Sequence, residues 1–290
     1  MRAPLRTPSR RPRSQLFKAL RDVLGGDLGD EPAAFRQDAV ARVVETIGRA
    51  FGPGGWLEAT VRGFEHVPAS PAMLVSNHSG GTLIPDVWGF AIAWYRHFGT
   101  NRPLHILGHE LLFSTRASAR FFSSCGVLRA TPEVATEVLG DLKRDLLVLP
   151  GGDRDAWRPY RDRYRVNFAG RTGYARVAHE LQVPVVPVAH AGAHETLLVL
   201  SSGERLARWA GLHRFARAEI WPVHLSLPWG LAIGPLPHFP LPARLRYLVG
   251  APVRPAPLPY GDDDVSAFDE RVREAIQRQL DELAAGALRR

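Results

Sequence analysis

The 290-residue chain has a single cysteine, Cys125. One thiol cannot form an internal disulfide or supply a multi-cysteine zinc or iron–sulfur site, which excludes disulfide scaffolds and cluster proteins. Its place before Gly126 favours a small buried apolar side chain over a nucleophile. With 45% hydrophobic and 23% charged residues, the composition is that of a folded globular protein.

Long apolar runs are also absent. No stretch of about 18 apolar residues is present to cross a bilayer. Met1–Arg13 lacks the apolar core of a secretory signal, although its arginines and lack of acids are compatible with a transit peptide. Residues 220–243 carry no formal charge, but six prolines exclude a continuous transmembrane helix there. This segment, which contains Trp221, Trp229 and Phe239, is either an interfacial loop or a buried connection.

Acidic residues are absent from residues 1–21, which hold seven arginines and lysines of a chain with net charge +8. The remaining chain is almost balanced. A basic arm on a neutral body is typical of a tether to an anionic membrane or nucleic acid, and a solvated tail is the alternative. Of these two candidate partners nucleic acid is the less favoured, because the rest of the chain has no net positive field.

Apolar spacing predicts the secondary structure. Residues 14–25 form a short basic amphipathic helix, suited to a membrane interface or to the protein's own core, and Pro32 begins a second helix ending near Phe51. Strands are predicted at 57–62, 72–76, 104–107, 127–129, 146–149, 183–188 and 246–249, and helices at 85–97, 110–122, 132–143, 171–181 and 265–284.

This alternation predicts an α/β fold. We expect a mostly parallel or mixed central sheet covered by helices on both faces and preceded by N-terminal helices. The predicted organisation is a basic arm, amphipathic helix and linker over residues 1–30, followed by a single α/β domain over residues 31–290.

Two segments follow predicted strands where ligands bind in such sheets, beyond the carboxyl ends of the strands. Residues 76–81 read Ser-Asn-His-Ser-Gly-Gly, and residues 149–154 read Leu-Pro-Gly-Gly-Asp-Arg. His78 follows the first strand directly, and Asp86 is the only acidic residue within 66–109. A carboxylate that orients an imidazole leaves its other nitrogen as a base for a hydroxyl. The pair is therefore a candidate catalytic unit.

Four blocks together resemble the lysophospholipid and glycerolipid acyltransferases, which move an acyl chain from a thioester to an alcohol. The blocks are residues 76–81 with Asp86, then 126–129, 149–154 and 183–188, in the family's order and spacing over roughly 57–283. The resemblance implies that His78 and Asp86 are catalytic. It also implies substrate contacts from the blocks' other residues, namely Asn77, Ser79, Gly80, Gly81, Arg129, Pro150, Gly151, Gly152, Asp153 and Arg154.

The resemblance also implies partners. The co-substrate is a thioester of coenzyme A or acyl carrier protein, with no resident cofactor or metal, and the protein is cytoplasmic and peripheral to a membrane. An arginine cluster after the third block, including Arg158, suits phosphate on the acceptor or on coenzyme A, although a solvated mixed-charge surface is the alternative. No nucleic acid is expected, and the sequence leaves the oligomeric state open.

The chain departs from the family pattern in three places. Seven residues separate His78 from Asp86, where four are usual. The second block lacks the usual arginine and has Thr131 near that position. In the third block, Gly151 stands where glutamate is usual, as in the diacylglycerol-acyltransferase-like branch.

The longer gap constrains the local conformation. Eight positions on one helix would separate the two backbones by about 12 Å, so His78 and Asp86 can pair only if 79–84 is not a regular helix. Gly80, Gly81 and Pro85 predict a loop there that returns Asp86 to the imidazole.

Other functions stay open at this point. The acceptor is a glycerolipid or lysophospholipid, with diacylglycerol or a long-chain alcohol as the alternative. A lipid hydrolase would use water at the same pair, and a silent membrane-binding module would not form the pair at all. His190 and His194 are four residues apart, but Pro184, Pro187 and Gly192 argue against the helix that a metal pair would need.

Overall fold

The computed structural model describes residues 29–69, 71–209 and 220–288. The basic arm and the helix predicted over 14–25 lie outside these residues. The strands are β1 Ala59–Arg62, β2 Met73–Ser76, β3 Leu104–Gly108, β4 Val127–Arg129, β5 Asp145–Val148, β6 Val185–Ala191, β7 Leu198–Ser201, β8 Val223–Ser226, β9 Gly230–Ile233 and β10 Leu245–Val249. The α-helices are α1 Gln37–Ile47, α2 Pro85–Phe98, α3 Arg116–Ser124, α4 Pro132–Thr136, α5 Gly152–Ala156, α6 Gly173–Leu181, α7 Glu204–Trp209 and α8 Asp262–Leu288.

A seven-stranded mixed sheet organises the fold, in the order β1-β10-β6-β2-β5-β3-β4. Strands β6, β2, β5, β3 and β4 are parallel to one another. Strand β10 is antiparallel to β6, and β1 is parallel to β10, so these two strands run the other way. The central strand β2 therefore has β6 on one side and β5 on the other, which sets three chain segments side by side at one edge.

Helices cover both faces of this sheet. Side chains of β2 alternate, with Met73 and Val75 packed among residues of α4, α6 and α8, and Leu74 packed among residues of α1, α2 and α3. All three are fully buried. Strands buried on both faces read as continuous apolar runs, which is why these segments were recognisable in the sequence. The predicted α/β fold with helices on both faces is confirmed.

Two predicted helices begin or break differently. Pro32 opens a short 3₁₀ turn, Pro32–Ala34, and α1 starts only at Gln37. The helix predicted over 110–122 is a 3₁₀ turn, Glu110–Phe113, followed by α3. The break follows from Thr115, whose hydroxyl accepts from the Ser118 N–H while Ser118 reciprocates, so a new helix starts there.

The charge-free segment contains two strands, so the expectation of a loop or a buried connection without strands was wrong. Strands β7, β8 and β9 form a separate antiparallel sheet, two strands of which lie within residues 220–243. Val223 and Leu225 of β8 alternate with the inward-facing His224 and Ser226, so the apolar residues are the outward ones. The residues of β9 are Gly-Leu-Ala-Ile and do not alternate, and sequence patterning missed both short strands. In the described part of the chain, no helix has the length and apolar character needed to cross a membrane.

Candidate active site

The candidate site lies at the carboxyl ends of β2, β5 and β6. Residues 77–81 follow β2, residues 149–154 follow β5, and His190 is the second-last residue of β6. Asn77 ties two of these segments together, because its amide donates to the His190 carbonyl at 3.0 Å and accepts from the His190 N–H at 2.9 Å. The sheet topology thus brings the first, third and fourth blocks of the sequence to one place.

His78 and Asp86 are in direct contact. The distance from His78 Nδ1 to Asp86 Oδ2 is 2.6 Å. Between them the backbone is left-handed at Gly80, with φ of 101°, and at Ile84, with φ of 44°. A 3₁₀ turn separates these two residues, and Pro85 then opens α2. The loop predicted to return Asp86 to the imidazole is confirmed in its geometry.

The Asp86 carboxylate is buried and has several partners. Its Oδ2 accepts from the Ser79 backbone N–H at 3.0 Å and lies 3.5 Å from His190 Nε2. Burial alone would raise the pKa of this carboxyl, but the two histidines and the Ser79 N–H outweigh it and lower the pKa below its usual value. The Tyr247 hydroxyl donates to the Asp86 backbone carbonyl at 2.7 Å, which fixes the first turn of α2. Asp86 is therefore an ionised, immobile partner for His78.

The electrostatics of His78 follow from this partner. Burial lowers the pKa of the imidazole, but the charge and hydrogen bond of Asp86, with a further contribution from Asp155, raise it above its ordinary 6.5. Nδ1 is occupied by Asp86, and no described residue forms a hydrogen bond with Nε2. The side chain is 12% exposed. Nε2 is the nitrogen left to exchange a proton with a bound hydroxyl.

His190 is a member of the site that sequence reasoning did not place there. Its Nε2 lies 2.6 Å from the Ser79 hydroxyl oxygen, and both side chains are buried. Burial lowers the pKa of His190 to about 4, so this ring is neutral at physiological pH. The hydrogen bonds fix Ser79 and the loop that carries His78. Among the described residues, no group of three or more His, Cys, Asp or Glu side chains is placed to hold a metal ion.

The third block supports His78 through Asp155, another residue that the sequence analysis did not single out for the site. Its Oδ2 accepts from the His78 backbone N–H at 2.6 Å, and its Oδ1 accepts from Arg158 Nη1 at 2.5 Å. The same Nη1 also donates to the Arg165 carbonyl. Both Asp155 and Arg158 are buried, and a buried ion pair of this kind positions its neighbours strongly.

Pro150 and Gly151 of the third block form the turn before α5, and Gly152, Asp153 and Arg154 are the first residues of that helix. Arg171 Nη1 donates to the carbonyls of Pro150 and Gly151 at 3.2 and 3.0 Å, and Arg171 Nη2 lies 3.4 Å from Asp153 Oδ1. Gly152 has a φ of 53°, and Arg154 follows it in α5. These residues lie beside the His78 segment, and their contacts with a substrate stay a prediction.

Arg129 lies away from the other candidates. It belongs to the edge strand β4, with β3 and β5 between it and β2. Its guanidinium forms ion pairs with Glu110 at 2.5 Å and Asp30 at 3.2 Å, and it sits 5.3 Å from the centre of the Phe113 ring. The structure does not bring Arg129 to the His78 and Asp86 pair, and its predicted substrate contact has no support from this placement.

Comparison with known proteins agrees with the predicted acyltransferase. Residues 58–191 match the family model described as Acyltransferase. These residues span both His78 and Asp86 as well as the third and fourth blocks. The chain thus contains an Acyltransferase domain over residues 58–191, and the protein is an acyltransferase.

Relatives are distant and span most of the chain. An uncharacterised protein of Mycobacterium tuberculosis is 28% identical over 273 residues, which are 92% of this chain and 73% of that protein. A human protein, the DGAT1/2-independent enzyme synthesizing storage lipids, is 26% identical over 78% of this chain and 62% of its own length. The crystal structure of the LPA acyltransferase PlsC from Thermotoga maritima is 18% identical with a TM-score of 0.49, covering 93% of each chain.

The structure explains the glycine of the third block. A Cβ placed on Gly151 would lie 2.3 Å from the Asp155 Cβ and 2.5 Å from the Asn167 carbonyl oxygen. The backbone of Gly151 has an ordinary right-handed conformation, so only space forbids a side chain. Asp155 fills the volume that a glutamate at position 151 would need.

We expect Gly151→Ala to destabilise the fold by about 1–3 kcal/mol, because the added methyl must displace Asp155 or the backbone at Asn167. Thermal unfolding measures the change in melting temperature. Gly173→Ala is the matched control, since nothing lies within 4 Å of a Cβ there. Equal melting temperatures for the two variants would contradict the steric account.

Proposed function

We propose that this protein is a membrane-associated O-acyltransferase that transfers a fatty acyl group from a thioester to the hydroxyl of a glycerolipid or lysophospholipid. The thioester is that of coenzyme A or acyl carrier protein. The observation that supports this most directly is the 2.6 Å contact between His78 Nδ1 and a buried, ionised Asp86, with Nε2 left unbonded by the described residues.

The proposed reaction needs no covalent enzyme intermediate. His78 Nε2 takes the proton of the acceptor hydroxyl while the hydroxyl oxygen attacks the thioester carbonyl carbon. Collapse of the tetrahedral intermediate breaks the carbon–sulfur bond, and the imidazolium returns the proton to the leaving thiolate. Asp86 stabilises the imidazolium through Nδ1. The backbone N–H groups of Gly80 and Gly81 are the candidate donors to the developing oxyanion.

The acceptor is inferred from what surrounds the pair. Arg158 is buried close to His78, and its Nε and Nη2 have no hydrogen-bond partner among the described residues. Guanidinium nitrogens of this kind suit phosphate, which supports a phosphorylated acceptor or coenzyme A. The human relative is named as an enzyme that makes storage lipids, which supports a neutral acceptor such as diacylglycerol as the alternative.

One assay separates the candidates. Labelled acyl-CoA is incubated with the protein and, separately, with lysophospholipids, diacylglycerol and long-chain alcohols, and the labelled lipids are identified. A labelled phospholipid supports the proposal, and a labelled triacylglycerol or wax ester supports the alternative acceptor. Free labelled fatty acid formed equally with and without acceptor would identify a hydrolase, and no product from any pair would favour the silent membrane-binding module.

Membrane association is proposed to involve the basic arm. Deleting residues 1–24 should weaken binding to anionic liposomes more than to neutral ones, since each basic residue near such a surface contributes about 1 kcal/mol. The difference should shrink as salt rises, because screening acts over about 10 Å at 0.1 M salt. Liposome sedimentation measures both effects. Equal sedimentation of the full and shortened chains at low salt would reject the role of the arm.

A further inference from the structure

The small sheet has an apolar outer face. Leu225 of β8 pairs with Leu231 of β9, and Val223 pairs with Ile233, so these side chains share one face. Leu231 is 64% exposed and Ile233 is 54% exposed. The solvent-facing side of an antiparallel sheet is ordinarily polar. Here it is apolar at consecutive pairs, which makes it an exposed apolar patch rather than scattered surface leucines.

The patch extends beyond the strands to aromatic and aliphatic side chains at the end of the hairpin. Leu227 and Trp229 are half exposed, and Phe239, which bridges to Leu227, is 60% exposed. Trp56 packs against Phe239 with ring centres 6.0 Å apart. We call the whole patch the apolar outer face; its members are Trp56, Val223, Leu225, Leu227, Trp229, Leu231, Ile233 and Phe239.

Both exposed indoles have their polar atom satisfied inside the protein. Trp229 Nε1 donates to the Pro237 carbonyl at 2.6 Å, and Trp56 Nε1 donates to the Pro240 carbonyl at 2.8 Å. Residues 220–243 carry no formal charge. The apolar outer face can therefore leave water without breaking an indole hydrogen bond or desolvating an ion, a condition that a lipid environment imposes.

The other side of the small sheet packs on the candidate active site. The inward-facing His224 lies 5.0 Å, ring centre to ring centre, from Trp157, which follows α5 of the third block. The Thr82 hydroxyl, within the loop between His78 and Asp86, donates to the Pro235 carbonyl at 3.0 Å. The apolar outer face thus lies on the sheet that adjoins the catalytic loop.

We propose that the apolar outer face docks the protein on the interfacial region of an uncharged lipid bilayer. Tryptophan and phenylalanine favour this depth of a membrane, and the lack of charge matches a neutral or zwitterionic surface rather than the anionic one that suits the arm. Docking here would hold the His78 loop next to the lipid that receives the acyl chain. This role of the surface rests on the proposed function, while the docking itself does not.

The test uses the full chain and vesicles of phosphatidylcholine in 1 M salt, where screening to about 3 Å suppresses the contribution of the arm. The double variant Leu231→Asp with Ile233→Asp places charges at exposed positions, so the fold is retained and circular dichroism checks this. Leu258→Asp is the matched control, because Leu258 is 59% exposed and lies elsewhere on the protein. It follows Val253, which pairs with Val185 at the amino end of β6, whereas the candidate active site lies at the carboxyl end of that strand.

We expect the double variant to lose at least tenfold in vesicle partitioning and the control to bind like the unaltered protein. Brominated phosphatidylcholine should quench fluorescence of the unaltered protein, and Trp56→Phe together with Trp229→Phe should remove most of that quenching. Equal partitioning of the double variant, or no quenching, would overturn the proposal. A dimer that the double variant abolishes, with vesicle binding unchanged, would assign the apolar outer face to a second copy of the chain.

Failure of the proposed function would look different. A short-chain acyl-CoA and a water-soluble acceptor report turnover without a membrane. If the unaltered protein shows no turnover but the double variant still loses vesicle binding, docking stands and the acyltransferase proposal for lipids falls. If turnover is present and vesicle binding is insensitive to the double variant, only the docking proposal falls.

Discussion

His78→Ala is expected to lower acyl-transfer turnover by about 10²–10⁴-fold, the usual contribution of proton transfer by a positioned side chain. The loss should fall on turnover rather than on substrate binding, since the imidazole acts in the transition state. Initial rates with a saturating thioester and acceptor measure it. The fold should persist because the imidazole is partly exposed and its loss leaves no apolar cavity.

His109→Ala is the matched control for this experiment. His109 is an exposed histidine that follows β3 at the same edge of the sheet, and its ring accepts a hydrogen bond from the Leu111 N–H, two residues along the chain. Turnover near that of the unaltered protein is expected for this control. A folded His78→Ala protein with the same turnover as the control would remove His78 from the mechanism.

Asp86→Asn is expected to reduce turnover strongly, within the same range of about 10²–10⁴-fold, while the protein stays folded. The amide has the size of the carboxylate, so the packing beside Tyr247 is kept, but it carries no charge to stabilise the imidazolium. Without that charge, burial and nearby Arg158 would lower the pKa of His78. The variant therefore tests electrostatics rather than shape.

The pH profile gives this experiment a second readout. A base must be unprotonated to act, so kcat/KM of the unaltered protein should fall as the pH drops through a His78 pKa above 6.5. In Asp86→Asn the midpoint should move to lower pH. Turnover within a few-fold of the unaltered protein, or an unmoved midpoint, would show that Asp86 does not support His78.

Whether a contact of the candidate site could be predicted depends on how far apart its two residues lie along the chain. The contact between His78 and Asp86 was predictable because two glycines and a proline punctuate one short loop. His190 reaches the same carboxylate from β6, more than a hundred residues further on. A buried histidine on an apolar strand carries no local signal for such a contact. Asp155 was likewise hidden among the mixed charges that follow the third block.

The elements of the fold that the sequence did not predict were missed for a similar reason, the lack of a clear local pattern. Helix α3 starts at a cap that reads as an ordinary Thr-x-x-Ser within a helical pattern. Strand β8 alternates over only four residues and with its polar residues, His224 and Ser226, facing inward, and β9 has no alternation. Local patterns carry the main sheet well because its strands are buried on both faces.

The place of β10 between β1 and β6 sets an order of events during synthesis. Strand β1 leaves the ribosome nearly two hundred residues before β10, its neighbour in the main sheet. Until β10 emerges, β1 and one edge of β6 lack the strand that pairs with them. The Asp86 carbonyl likewise lacks its hydrogen bond from the Tyr247 hydroxyl. Contacts this distant in sequence close slowly. The enzyme thus completes the support of the Asp86 backbone only after β10 has emerged.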